Sequence, residues 1–221
     1  MTSKKFVLSD EKKQIGNVIL FRIKALINSK FFKKGELGGW IEKERNLSQD
    51  GNAWVSDDAR VSGNAQVSED AWVYGDAWVS DDARVSGNAR IYGNAQVYGD
   101  ARIYGNARIY GDAWVYGNAR IYGDAWISED ARIYGNARVY GDARVYGNAQ
   151  VSDDARVYDD AQVYDDAWVS GDAWLYGDAR ICGKVRLQSA LCSRFIFKFD
   201  WQIELWKKKE KEFEKECDRA V

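Results

Sequence analysis

The sequence predicts an all-β protein, a parallel β-solenoid, and three observations lead to it. From Gly51 to Cys182 the chain is 22 consecutive six-residue units with no insertion. The third place of every unit is Ala, and the fifth is always Val, Ile or Leu. A period of six with two inward places and a turn describes short strands wound into a coil. A repeat array is quasi-one-dimensional, so the 221 residues read as one elongated body with two caps rather than as two domains.

The elements follow in chain order. Phe6-Val7-Leu8, then Ile19, Phe21, Ile23 and Ala25 at alternate places, predict two strands about a turn near Ile15-Gly16-Asn17. They form a small N-terminal β cap over residues 1–38. After a Lys-rich loop, Ile41, Leu47 and Ala53 are spaced by six, so the period begins before the regular units and the first coil is degenerate, as terminal repeats are. The coil region spans 39–188, with its regular units at 51–182.

Within a unit, Ala and the aliphatic residue face the core, and the fourth and sixth places point outward because strand side chains alternate. The first two places, Gly or an acid followed by Asn or Asp, make the corner, where Gly and Asn tolerate left-handed backbone. Asp57, Glu69, Asp81, Glu129, Asp153, Asp159 and Asp165 replace that Gly. Either the first corner place does not demand a positive φ, or these units carry strain.

Three hexads per coil give a three-sided coil of about seven turns, roughly 35 Å long at ~4.8 Å per strand. Each end of such a stack is an open strand edge, so both flanks are expected to be caps. Gly183 to Gln188 is a decayed last unit. Residues 189–221 form the C-terminal cap: Phe197, Phe199, Trp201, Ile203 and Leu205 alternate as a strand, and 206–219, with Phe213 and Cys217 four apart, read as a short amphipathic helix.

The formal charge of −2 hides a split: residues 1–50 carry 11 basic and 6 acidic side chains, the array 51–182 carries 11 and 21, and the tail 183–221 carries 10 and 7. An acidic rod disfavours binding to nucleic acid along its length, since phosphate neutralisation needs basic excess. No secretion signal and no apolar run long enough for a bilayer stand out. Cys182, Cys192 and Cys217 lack CxxC spacing, which points away from a disulfide framework or a zinc site and towards a cytoplasmic protein.

Read from the fifth place, Ile-Tyr-Gly-Asp-Ala-Arg resembles the hexapeptide repeat of left-handed parallel β-helices, the superfamily of trimeric acyltransferases. The entry sequence Gly35-Glu-Leu-Gly-Gly-Trp-Ile-Glu-Lys-Glu-Arg-Asn-Leu-Ser-Gln-Asp-Gly-Asn-Ala-Trp-Val55 is similar to uncharacterised bacterial and prophage members. The resemblance implies a left-handed coil and a homotrimer. It implies no activity, because hexapeptide acyltransferases generally use a histidine as general base and this chain contains none. Catalytic solenoids also tend to carry an inserted loop at the acyl-donor site, and no unit here is interrupted.

The remaining chemistry reads the same way. No GxGxxG joins a strand to a helix and no phosphate-loop lysine is present, so no nucleotide and no other cofactor is called for. The acid pairs Asp153-Asp154, Asp159-Asp160 and Asp165-Asp166 lie on three different corners of a three-sided coil, so they do not stack into a metal site.

Three hexads complete one coil, so outward residues three hexads apart stack in columns. One face places Arg84, Arg102, Arg120, Arg138 and Arg156 in line, beside Tyr104, Tyr122, Tyr140, Tyr158 and Tyr176. Arg and Tyr are the residues that carry interface energy, which makes this the candidate binding face, with corner carboxylates expected to offset the repulsion between its arginines. Seven array tryptophans, at 54, 72, 78, 114, 126, 168 and 174, also occupy the outward fourth place on all three faces. So much exposed aromatic surface suggests self-association or a protein partner.

The function expected is therefore a non-catalytic scaffold or protein-interaction module of prophage origin. Two alternatives are a degenerate or unusual hexapeptide acyltransferase, and an acidic rod that mimics nucleic acid towards a basic host protein. No catalytic or metal-binding residues are assigned, and no membrane is involved.

Overall fold

A computed structural model describes residues 4–188, 191–192 and 196–197. The expected strand over 197–205 lies almost wholly outside the described residues, and the expected helix over 206–219 lies entirely outside them. The array forms as expected: each hexad contributes one two-residue strand at its fourth and fifth places, as at Arg102–Ile103 and Arg120–Ile121. Strands three hexads apart pair in parallel, giving three sheets of 11, 9 and 8 strands. The stack has about eight coils, because strands beyond the regular units extend it at both ends.

The backbone hydrogen bonds run along the axis. Arg102 N–H donates to Ala119 O at 2.9 Å, Tyr104 N–H to Ile121 O at 2.9 Å, and the corner Asn106 N–H to Gly123 O at 2.8 Å. Each unit is thereby satisfied by the next coil, which allows strands of only two residues to persist. Inside, every array Ala and every fifth-place aliphatic is at most 1% exposed. A three-sided coil has no room for larger side chains in both columns, and this steric limit keeps the third place invariant.

The open question at the corner is resolved. All seven acids take the left-handed conformation, with φ between 56° and 60°. All but Glu129 direct a carboxylate along the axis to the backbone N–H at the same place in the next coil. Glu69 Oε2 accepts from Gly87 N–H at 2.7 Å, and Asp57 Oδ2 from Gly75 N–H at 3.1 Å. That charge-assisted bond offsets the cost of a non-Gly residue in this region. In each of the seven cases the residue one coil later is Gly. Two acids in succession would aim one carboxylate at the next.

At the N-terminus, β1 (Phe6–Ile15) and β2 (Val18–Ala25) form an antiparallel hairpin, and β3 (Leu37–Ile41) pairs antiparallel with β2 and parallel with Arg60–Val61. The hairpin thus closes one open sheet edge, leaving the charged β1 outermost. Gly38 and Gly39 permit the approach: a Cβ on Gly38 would lie 2.5 Å from Val55 O, and one on Gly39 2.7 Å from Val55 Cγ1.

Polar side chains complete the end of the stack. Lys5 is 1% exposed, and its Nζ donates to Ala53 O at 2.9 Å and more weakly to the carbonyls of Asp50 and Gly51. Burial pulls its pKa down to about 8, against the opposing charges of Asp50 and Asp70. The Gln49 amide accepts from Lys5 and Phe6 N–H and donates to Phe6 O, standing in for a paired strand. Buried Asn46 donates to Ala65 O at 2.8 Å in the same way.

Candidate binding face

The 8-stranded sheet carries the predicted columns, and its strand pairing places Arg84, Arg102, Arg120, Arg138 and Arg156 directly above one another. The Tyr column runs beside them. Tyr104–Tyr122 ring centroids are 5.3 Å apart and inclined by 15°, but Tyr122–Tyr140 and Tyr140–Tyr158 open to 5.7 and 6.1 Å with inclinations of 41° and 52°. Tyr158–Tyr176 closes again to 16°. Elsewhere the tyrosine ladders are tighter: Tyr74, Tyr92 and Tyr110 stack at 4.8 and 4.9 Å within 6° of parallel. The rings of this face are the least locked by their neighbours.

The arginines correct one expectation. Among the described residues no carboxylate lies within 4.0 Å of any of the five; the ion pairs, such as Lys4–Glu44, involve residues of the N-terminal region. On the other two faces several arginines rest instead on tryptophan: Arg108 and Arg144 sandwich Trp126 at 5.0 and 5.4 Å, and Arg132 covers Trp114 at 5.5 Å. Here only Arg156 has such a partner, Trp174 at 4.5 Å. Arg84, Arg102, Arg120 and Arg138 form a column of like charge with neither an acid nor a ring assigned to them among the described residues.

The tryptophans are corrected too. Trp54 is fully buried because Phe32 stacks on it at 3.9 Å, and Phe31 stacks on Trp72 at 5.1 Å, so the loop before β3 folds over that face. The indole N–H groups of Trp72, Trp78 and Trp168 donate to the hydroxyls of Ser56, Ser62 and Ser152 in the preceding coil. Only Trp114 and Trp174, both 37% exposed, count as large exposed hydrophobic residues within the array. The apolar surface available for association is smaller than the composition suggests.

Burial raises the phenols of Tyr74, Tyr92, Tyr98, Tyr116, Tyr146 and Tyr158. A hydrogen bond with Cys182, reinforced by burial, pushes Tyr164 up to about 12.

The corners form ladders that the sequence reading passed over. Asn at the second place donates its amide to the residue one coil on, as Asn106 Nδ2 does to Asp124 Oδ1 at 2.8 Å and Asn94 Nδ2 to Asp112 Oδ1 at 2.9 Å. On two corners such amides recur often enough that no more than two aspartates follow in succession. On the corner that follows the arginine face, Asp124, Asp142, Asp160 and Asp178 occupy four successive coils, all exposed. Counting aspartates at intervals of one coil would have found them; comparing adjacent corners could not.

These coils, columns and corner ladders define a parallel β-solenoid repeat protein. Residues 53–69, 83–99, 95–106, 101–117, 113–129, 131–147, 137–151, 149–161 and 161–177 match the YdcK beta solenoid repeat, together just over half of the chain. The chain belongs to that family. No curated protein matches it.

Proposed function

We propose that the protein is a non-catalytic, rigid scaffold or interaction module that works through the Arg84–Arg156 face. The observation that carries this reading is the column of arginines without an acidic partner among the described residues. Stacked guanidiniums repel one another and contribute little to the fold, yet they present planar donors to an anionic surface. Looser tyrosine rings alongside supply adaptable aromatic area. A chain without histidine supports the non-catalytic part, since neutral-pH proton transfer would fall to a carboxylate or lysine with a shifted pKa.

The reading extends to a left-handed coil, a homotrimer and a prophage origin, which rest on the resemblance to hexapeptide-repeat proteins. A cytoplasmic location rests on the cysteine pattern. The acidic array, with 21 acidic against 11 basic residues, favours the nucleic-acid mimic as a second reading. Salt-sensitive co-purification of a basic nucleic-acid-binding protein would select it, whereas binding of an acyl donor would select a degenerate acyltransferase. The test of the first reading is a tagged pull-down from the native cell, repeated with Arg102, Arg120 and Arg138 changed to Ser. A partner retained by the triple variant overturns the assignment of the working face.

A further inference from the structure

We propose that the arginine face docks against the Asp124–Asp178 corner of a second copy of this chain. The inference rests on the reading of that face as a binding surface and names its occupant.

Two complementary columns exist on one molecule without meeting. The five arginines of the face have no carboxylate within 4.0 Å among the described residues. Of the four successive aspartates on the adjoining corner, Asp124 accepts a side-chain hydrogen bond from Asn106, while Asp142, Asp160 and Asp178 accept none among the described residues and are exposed. Each column is costly alone, because like charges repeat at the spacing of neighbouring strands, ~4.7–4.9 Å. Face to corner between two copies, each supplies the counter-charge the other lacks.

The repeat distance favours this occupant over other anions. An extended acidic peptide laid along the axis presents same-side carboxylates every ~6.6–6.8 Å, so over four coils it slips by more than one full step. A second copy has the same interval by construction, because its aspartates belong to the same coil repeat as the arginines. Four contacts therefore form together without loss of register. Because a face meets a corner, the contact is heterologous, and copies either close into a ring or continue as a chain.

The test is charge exchange on the full-length protein, read by sedimentation velocity at low and high salt. One variant carries Arg102→Glu, Arg120→Glu and Arg138→Glu, and the other Asp142→Lys, Asp160→Lys and Asp178→Lys. The wild type is expected to associate at low ionic strength and dissociate as salt screens the columns. Each variant alone is expected to be monomeric, and an equal mixture to associate again. Asp142→Asn, Asp160→Asn and Asp178→Asn together are expected to abolish association while keeping the fold, since Asn fills the equivalent place at 52, 88 and 106. A wild type that stays monomeric at low salt, or an oligomer that survives both sets of substitutions, overturns the proposal. If the wild type is monomeric yet the serine variant loses a cellular partner, the occupant is another acidic protein and the interaction-module reading stands.

Discussion

The carboxylate of Asp81 accepts a 3.0 Å hydrogen bond from the backbone N–H of Gly99, one coil away along the axis. Asp81 itself sits at φ 58°, where a Cβ is normally penalised. The same side chain that creates the conformational cost removes part of it, and it can do so because the left-handed corner aims Cβ along the stack.

This pair separates two effects by substitution. Asp81→Ala keeps the Cβ and loses the hydrogen bond, so it should destabilise by about 0.5–1.5 kcal/mol. Asp81→Gly loses the bond but also the conformational penalty of about 1–2 kcal/mol, and should lie at or above the wild type. Denaturant midpoints that rank Ala above Gly would contradict the corner geometry.

Inward and outward places should respond to substitution by different amounts. Ala119 is 0% exposed, so Ala119→Leu should cost roughly 1–3 kcal/mol by overpacking the coil. Arg120 lies next to it on the outer face without an acidic partner among the described residues, and Arg120→Ala should change stability by no more than about 0.5 kcal/mol. Comparable thermal melting of the two variants would sink the assignment of the columns.

The attachment of the N-terminal hairpin depends on two missing Cβ atoms. Gly38→Ala places a methyl 2.5 Å from Val55 O, in a strand held by its pairing with Trp72–Val73, and 2.6 Å from Ile23 Cγ1 on β2. It should cost about 1–3 kcal/mol and loosen residues 6–41 before the array. Hydrogen exchange mapped along the chain reads this directly; protection in the hairpin equal to wild type would count against it. Gly16→Ala, at φ 57° but with nothing within 4 Å, should cost only the conformational term of about 1–2 kcal/mol and leave the attachment intact.

Lys5 predicts a pH dependence. Burial lowers its folded pKa to about 8 from 10.5, so the unfolded chain binds more protons between these values. Stability contributed through this group therefore rises as pH increases from about 8 towards 10.5 and is flat below that window. The neutral amine still donates to Ala53 O, so the contact survives deprotonation. Lys5→Met should remove this upward slope relative to wild type when unfolding midpoints are compared from pH 7 to 10. An unchanged slope would show that the amine is not desolvated.

The array was legible because its signal is local and repeated. Ala119 and Ile121 could be placed inward from their period alone, and the columns Arg84 to Arg156 and Tyr104 to Tyr176 followed from counting three hexads per coil. Trp54 shows where that stops. It occupies the same outward place as Trp114, but Phe32, from the loop before β3, covers it, and no periodicity carries that information. Lys5 reads as one of several lysines in a basic segment, and only the fold places its amine against the carbonyls that open the first coil.

By itself, then, the amino-acid order determined the coil, its inward columns and which residues share a face, since each depends on spacing along one chain. The tertiary structure alone decided which of those residues have partners. That the acids adopt positive φ, and that among the described residues the arginines of one face meet no carboxylate and three successive aspartates of a single corner accept no side-chain hydrogen bond, all depend on distances across neighbouring coils, where side-chain reach rather than sequence interval governs contact.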